Sequence, residues 1–332
     1  MLANIARGIA SPFGQTINSI LFKRAVLQWG EQRGFNVIQA HDAPALRAAC
    51  ALATNSGAHL VYDAVEFVDS RSTYRTTWPW RVARRLESRI EAGMIRRAAS
   101  CFAIGPSMSQ WMASRYQIRP PTVIRNCRDF IATPGPSQLR RDCGIDNQKL
   151  VLFMNSLAEG RGTDEFLSAL RKLDSDVHAV FLGVDRASSQ VRQITAHAEA
   201  LKLQDRVHFL EPVPPFELID YISDADVGVI PFKNTHLNHF YSLPNRLFEL
   251  IMARVPVAAS AFPDMQDLIE NSGIGRCFDP EDSDDQAQAI SRLLHSLSDT
   301  TLSDAMESAA RTFSWESESA AYTAKLDELV AR

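Results

Sequence analysis

Cysteine is scarce in this chain: five residues in 332, an odd number, widely scattered and without a Cys-x-x-Cys pair. That spacing argues against a disulfide frame or a zinc knuckle and fits free thiols in a reducing compartment. No apolar run reaches the roughly 20 residues that a membrane-crossing helix needs, and the first residues lack a signal-peptide pattern. Neither sign of charge dominates. The net value of −4 gives no global basic field of the kind that draws a protein to nucleic acid. The P-loop pattern Gly-x4-Gly-Lys-Ser/Thr, the dinucleotide pattern Gly-x-Gly-x-x-Gly and the nucleophile elbow Gly-x-Ser-x-Gly do not occur. There is no internal repeat or low-complexity tract.

What is present is an ordinary globular composition, 45% hydrophobic and 22% charged, in a chain long enough for about two domains. Short β-rich runs alternate with helical patterns: "NVIQA" (36–40), "HLVYD" (59–63), "CFAIG" (101–105) and "TVIRN" (122–126) come first. The segment "CRDFIATPGPSQLRRDCGID" (127–146) has two prolines around Gly135 and no periodicity, and reads as an interdomain linker. The alternation then restarts with "LVLFM" (150–154), "HAVFLG" (178–183), "RVHFL" (206–210), "DVGVIPF" (226–232), "VPVAAS" (255–260) and "GRCFD" (275–279). This pattern predicts an α/β protein of two doubly wound, parallel-sheet, Rossmann-like domains facing a cleft. The expected division is 1–135 and 136–332. Ligands of open parallel sheets gather at the carboxyl ends of the strands.

Two stretches at such ends carry chemistry. In "MNSLAEGRGTDEFLSALRKL" (154–173), Arg161 stands between Gly160 and Gly162 at the mouth of a helix. Glycines let backbone approach a ligand and a guanidinium can clamp phosphate, although a solvated loop arginine has the same local sequence. In "YSLPNRLFELIMARVPVAAS" (241–260), Leu247, Phe248, Leu250, Ile251 and Met252 cover most of a helix, so the helix is expected to be buried. Glu249 within it then needs a hydrogen-bonding partner. Pro244 suits a first helical turn, where the free N–H groups and Arg246 make a candidate anion site.

These two stretches, with "RVHFLEPVPPFELIDYISDADVGVIPF" between them, resemble the C-terminal domain of retaining GT-B glycosyltransferases of the Glu-x7-Glu type. "SGIGRCFDPEDSDDQAQAISRLL" and "FSWESESAAYTAKLDEL" continue the likeness, and "NVIQAHDAPAL", "LVYDAVEF" and "PPTVIRNCRDF" extend it into the first half. The resemblance implies that Glu249 accepts hydrogen bonds from the donor's ribose and that Arg161 neutralises the nucleotide diphosphate. Ser242, Leu243, Pro244, Asn245 and Arg246 match the loop whose backbone amides, the proline lacking one, would face the diphosphate and sugar. Arg246 would add a cation, Glu211, Pro212 and Val213 would hold the nucleobase, and His41 would face the transferred sugar. Gly160 and Gly162 belong to the same donor loop.

The chain departs from the family in three places. Tyr241 stands where the first glutamate of the pair is expected. Asn155 and Ser156 replace a glycine and an arginine at the strand end. The strand carrying His41 comes early, without the usual opening βα units; three explanations stand open, a truncated start, residues 1–34 covering the sheet differently, or another chain supplying the edge in a homo- or hetero-oligomer. The implied activity is transfer of a sugar from a nucleotide-sugar to a glycan or lipid-linked glycan, with retention and without a metal, in polysaccharide synthesis at the bacterial cytoplasmic side. UDP or GDP is the expected nucleotide; no cofactor, metal ligand or nucleic-acid partner is assigned, and no Asp-x-Asp motif is assigned to a metal. Two rivals stay open: a non-catalytic GT-B partner subunit, and a sugar-nucleotide epimerase on the same fold.

The remaining candidates are weaker. The helix "RVARRLESRIEAGMIRR" (81–97) carries Arg84, Arg85, Arg89, Arg96 and Arg97, read as solvated charge or as contact with anionic lipid headgroups. The amphipathic stretch 1–29 reads as a packed helix or a surface-docking one. His236 and His239 lack a third metal ligand and read as polar loop residues or sugar contacts. Trp78 and Trp80 read as core or interface anchors.

Overall fold

The computed structural model describes residues 12–30, 33–67 and 88–331. These fall into two compact units, one within 12–124 and 320–331, the other Arg125–Ser319. Arg84, Arg85, Trp78, Trp80 and residues 1–11 lie outside the described residues.

In the first unit, β1 (Val37–His41), β2 (His59–Ala64), β3 (Ser100–Ala103) and β4 (Thr122–Val123) form one parallel sheet in that order. Leu60, Val61 and Tyr62 are buried in succession, which requires cover on both faces of the sheet. Tyr322, Leu326 and Leu329 of the helix Trp315–Val330 pack on Val61 and Phe102. Strand β4 is shorter than the 122–126 run because the Arg125 N–H donates to Glu318 Oε2 (2.8 Å) instead of to a neighbouring strand. Two arginines of the basic helix are engaged within the unit: Arg96 Nε donates to the Tyr116 carbonyl (2.8 Å) and Arg97 Nη2 to Thr54 Oγ1 (3.2 Å). Among the described residues, no helix is long and apolar enough to cross a membrane.

In the second unit, β5 (Lys149–Phe153), β6 (Val177–Leu182), β7 (Val207–Leu210), β8 (Val227–Ile230), β9 (Val257–Ser260) and β10 (Gly275–Phe278) form a parallel sheet ordered β10-β9-β8-β5-β6-β7. Alternation along β5 explains why its sequence is apolar throughout. Leu150 and Leu152 enter one core with Val180, Ile230 and Leu247, while Val151 and Phe153 enter the opposite core with Phe166, Phe181 and Val229. Each fully buried side chain of this size contributes about 1.5–3 kcal/mol.

The chain runs outward from β5 through β6 to β7, then returns to place β8 on the other side of β5. That reversal is a switch point, and a crevice forms beyond the carboxyl ends of the two strands that flank it. The helix Asn245–Met252 sits close to β8 because Gly228 has no Cβ; one placed there would lie 2.4 Å from the Leu250 side chain. Its five apolar residues, Leu247, Phe248, Leu250, Ile251 and Met252, are all buried, as their spacing predicts.

All five cysteines are free. Burial pushes the Cys101, Cys127, Cys143 and Cys277 thiols up to about 12, so these four stay protonated at neutral pH.

Candidate functional site

The loop after β5 and the loop after β8 meet at the switch point, and the two glycines make that meeting feasible. Gly162 has φ +70°, and a Cβ there would lie 1.8 Å from the Pro231 carbonyl oxygen. Gly160 has φ +80°, and a Cβ there would lie 2.8 Å from Thr235 Cγ2; its carbonyl accepts the Lys233 N–H at 2.9 Å. The close backbone approach that needs glycine is therefore to the 231–235 loop of the protein itself. It fixes Arg161, whose guanidinium lies 4.6 Å from the centre of the Phe232 ring.

Arg246 reaches the same place from the other side. Its Nε donates to the Met154 carbonyl, tying the helix Asn245–Met252 to the end of β5. Pro244 is the residue before this helix rather than part of its first turn: ψ is 149°, and the helix begins at Asn245. The Tyr241 and Ser242 amides are already engaged, donating to the Leu237 (2.9 Å) and His239 (3.3 Å) carbonyls. The amides left at the helix mouth are those of Asn245 and Arg246, which have no acceptor one turn back. Leu243 is buried.

The electrostatics here are unusual for a protein interior. Burial lowers the pKa of both Arg161 and Arg246, and the Arg246 charge lowers that of Arg161 further. Among the described residues, neither guanidinium has a carboxylate within 4.0 Å, and the buried Nε of Arg161 has no hydrogen-bond partner. Asn155, only 2% exposed, has neither its amide nitrogen nor its amide oxygen bonded among the described residues. Ser156 is exposed beside it. Two desolvated cations, open helix amides and an unsatisfied buried amide thus lie together, an arrangement whose chemistry suits an anion.

Glu249 does have a protein partner, contrary to a carboxylate left for a ligand alone. Arg128 Nη2 lies 3.2 Å from Glu249 Oε1 and also donates to the Pro215 carbonyl at 3.3 Å. Burial raises the Glu249 pKa, while Arg128 and then Arg246 oppose the rise. His239 is buried, with its ring stacked on Phe232 (5.0 Å between centres) and next to His236 (3.9 Å). Burial, then Arg161 and His236, push its pKa down to about 4, so it is neutral at pH 7. Tyr241 lies edge-on to Phe240, 4.9 Å between centres.

Glu211, Pro212 and Val213 follow β7 and line a cavity of about 550 Å³ with Arg186 and Tyr221. Arg161, Arg246 and Glu249 do not line it. His41 belongs to the first unit, at the end of β1, where its Nδ1 is 2.8 Å from Asp63 Oδ2. Gln39 Nε2 donates to the same oxygen (3.4 Å), and Tyr322 Oη donates to Gln39 Oε1 (2.6 Å). Burial raises the Asp63 pKa and the His41 contact opposes it.

Residues 137–313, the span in which both arginines and Glu249 lie, match the family described as glycosyl transferases group 1. The chain belongs to this family. Two curated members are similar to it, both D-inositol 3-phosphate glycosyltransferases. The Corynebacterium glutamicum (strain R) protein is 26% identical over 202 residues, 58% of this chain and 46% of that one. The Xylanimonas cellulosilytica protein is 27% identical over 221 residues, 62% of this chain and 50% of that one. The chain thus spans about half the length of the curated family members it matches.

Among solved structures, Anabaena HepE in complex with UDP has a TM-score of 0.74 at 19% identity, covering 92% of this chain and 82% of that one. Sucrose-phosphate synthase from Thermosynechococcus elongatus has 0.77 at 16% identity, covering 93% and 77%. The fold is GT-B, as the alternation of strands and helices and the family likeness implied.

One residue of the candidate site escapes a sequence reading. Arg128 sits in the segment read as a linker, and nothing in its sequence neighbourhood signals a charge partner 121 positions away at Glu249. Asp-x-Asp triplets do occur, at 174–176, 224–226 and 282–284, but they are unrelated to the switch-point crevice. The first two precede β6 and β8, at the opposite ends of the strands, where Asp226 Oδ2 pairs with Arg140 Nη2 (2.5 Å) and accepts the Leu150 N–H (2.7 Å). In the third, Asp282 caps the helix Ser283–His295. Among the described residues, no three His, Cys, Asp or Glu side chains converge as a metal-sized group.

Proposed function

We propose that the protein is a glycosyltransferase that moves a sugar from a nucleotide-sugar to a glycan or lipid-linked glycan, retaining the anomeric configuration. The observation that carries this reading is the meeting of Arg161 and Arg246 at the switch point, where Glu249 is the carboxylate that acts on Arg246 and, among the described residues, neither guanidinium has a carboxylate within 4.0 Å. Breaking the bond between a sugar and a nucleoside diphosphate develops negative charge on the leaving phosphate. Preorganised cations and helix amides stabilise that charge without reorganising, and they do so most strongly where water is excluded. Glu249 would accept the ribose hydroxyls, and the 211–213 turn would carry the nucleobase. In this reading Arg161 and Arg246 do the work a divalent cation does elsewhere, so transfer proceeds without metal. His41, steadied by Asp63, would act at the sugar.

Support for a nucleotide-sugar donor comes from family membership and from the similarity in fold to HepE structures bound to UDP and to UDP-glucose. The decisive experiment incubates the chain with UDP- and GDP-sugars and an acceptor glycan, with and without EDTA, and follows product by NMR. An axial product from an axial donor in the presence of EDTA is expected; an inverted product, or turnover that EDTA abolishes, overturns the corresponding part of the proposal.

One observation favours a second reading, a non-catalytic partner subunit: Tyr241 stands where the family's first glutamate is expected. Nucleotide binding without turnover, together with a companion chain that co-purifies, would support it.

A further inference from the structure

We propose that Arg128 is a positioning residue for the nucleotide: it keeps Glu249 ionised and joins the ribose side of the donor site to the loop after β7. The proposal rests on the donor-site reading above and extends it to a segment, 125–130, that has the composition of a linker.

The structure makes this segment a wall of the second unit. The Arg125 N–H and Nη1 donate to the two oxygens of Glu318 (2.8 and 2.9 Å), and the Phe130 N–H donates to Glu316 Oε2 (2.9 Å). The Arg128 carbonyl accepts the Trp315 N–H at 2.7 Å. Asn126 Nδ2 donates to Oδ1 of Asn245, the first residue of the helix that carries Glu249 (2.9 Å). With its backbone held on both sides, Arg128 presents Nη2 to Glu249 Oε1 and to the Pro215 carbonyl. The Arg128 contact falls on Glu249 Oε1, which in this reading leaves Oε2 to a ribose hydroxyl.

The charged groups facing Glu249 are Arg128 from this segment and Arg246 from its own helix. A ribose diol donates its hydrogens to a carboxylate that is acceptor-only when ionised, whereas protonation turns one of the two oxygens into a donor. Burial works against ionisation, and Arg128 is the larger of the two opposing influences. Replacing Arg128 by a neutral residue therefore leaves Arg246 to hold the charge while it also serves the diphosphate. The Pro215 contact adds a second effect: the same guanidinium fixes the loop that begins at Glu211.

The test titrates UDP, GDP and ADP and their 2′-deoxy counterparts into the native chain, Arg128→Met and Arg128→Lys between pH 5.5 and 8.5, with melting temperatures recorded in parallel. The native chain is expected to prefer ribo- over deoxyribonucleotide. Arg128→Met should bind the ribonucleotide more weakly, the loss deepening toward the acid end of the range and approaching about tenfold for each unit by which the carboxyl pKa rises. Its ribo/deoxy preference should collapse toward unity, and the acid limb of its affinity profile should move to higher pH. Arg128→Lys should recover part of each effect, and it carries the same readouts if Arg128→Met does not fold. Unchanged affinity overturns the proposal, and so does an equal loss for both sugars with an unmoved pH profile. Absence of any diphosphate binding by the native chain would instead overturn the donor-site reading itself.

Discussion

The Nε of Arg246 donates to the main-chain carbonyl of Met154, and this bond brings a second guanidinium to the side of Arg161. Two half-buried cations placed together repel each other; under the proposed function the arrangement is an anion site, where stability is given up for affinity.

The first prediction follows directly. Arg161→Met should leave the melting temperature unchanged or raised, because it removes a desolvated, repelled charge. Affinity for a nucleoside diphosphate should fall by about 2–3 kcal/mol, while affinity for the parent nucleoside hardly changes. Thermal melts and paired titrations of UDP and uridine check both halves. A large loss of stability would assign Arg161 to the fold instead.

Asn155 gives the same logic without charge. Both ends of its buried amide lack partners, so Asn155→Ala should cost the unliganded protein little, or stabilise it by about 1 kcal/mol, where a bonded buried amide would lose 1–3 kcal/mol. Chemical denaturation of the two chains measures this, and the variant should also bind diphosphate more weakly.

Gly162 and Gly144 separate steric from conformational demand. Both have positive φ, +70° and +68°, but a Cβ at Gly162 meets the Pro231 carbonyl at 1.8 Å whereas one at Gly144 meets nothing within 4 Å. Gly144→Ala should cost about 1 kcal/mol, the left-handed penalty alone. Gly162→Ala should cost at least about 3 kcal/mol and disturb the Arg161 loop. Equal effects in urea denaturation would refute the close approach.

How far the sequence alone could go is visible in these same residues. The ten strands of the described residues are readable because helices cover both sheet faces, so each strand is a short apolar run between turn signals. Arg161 and Glu249 stood out by the oddity of their neighbours. Arg128 and the Arg246–Met154 bond did not, because they depend on chain segments many residues apart meeting at the sheet edge, which no local pattern encodes. The two glycines were legible as special, yet the surface they approach, the 231–235 loop, was not.

His239 supplies a pH test. Its pKa is about 4 in the native protein against an ordinary 6.5, so between these values the unfolded chain binds a proton that the folded chain does not. Stability should therefore fall as pH drops from about 6.5 to about 4, by roughly 2–3 kcal/mol from this group. His178 and His208 are lowered too and act in the same direction. Urea midpoints at pH 7 and pH 5 for the native chain and His239→Gln should show a smaller pH loss in the variant.

The most direct test of the central claim is a thermal-shift panel of UDP, GDP, ADP, CMP and dTDP on the native chain, each with and without magnesium. A ligand that binds only the folded state raises the melting temperature by mass action. The account predicts a selective rise with one ribonucleoside diphosphate, UDP or GDP, that magnesium does not alter and that Arg161→Met abolishes. No rise with any nucleotide, or one that requires magnesium, would contradict it.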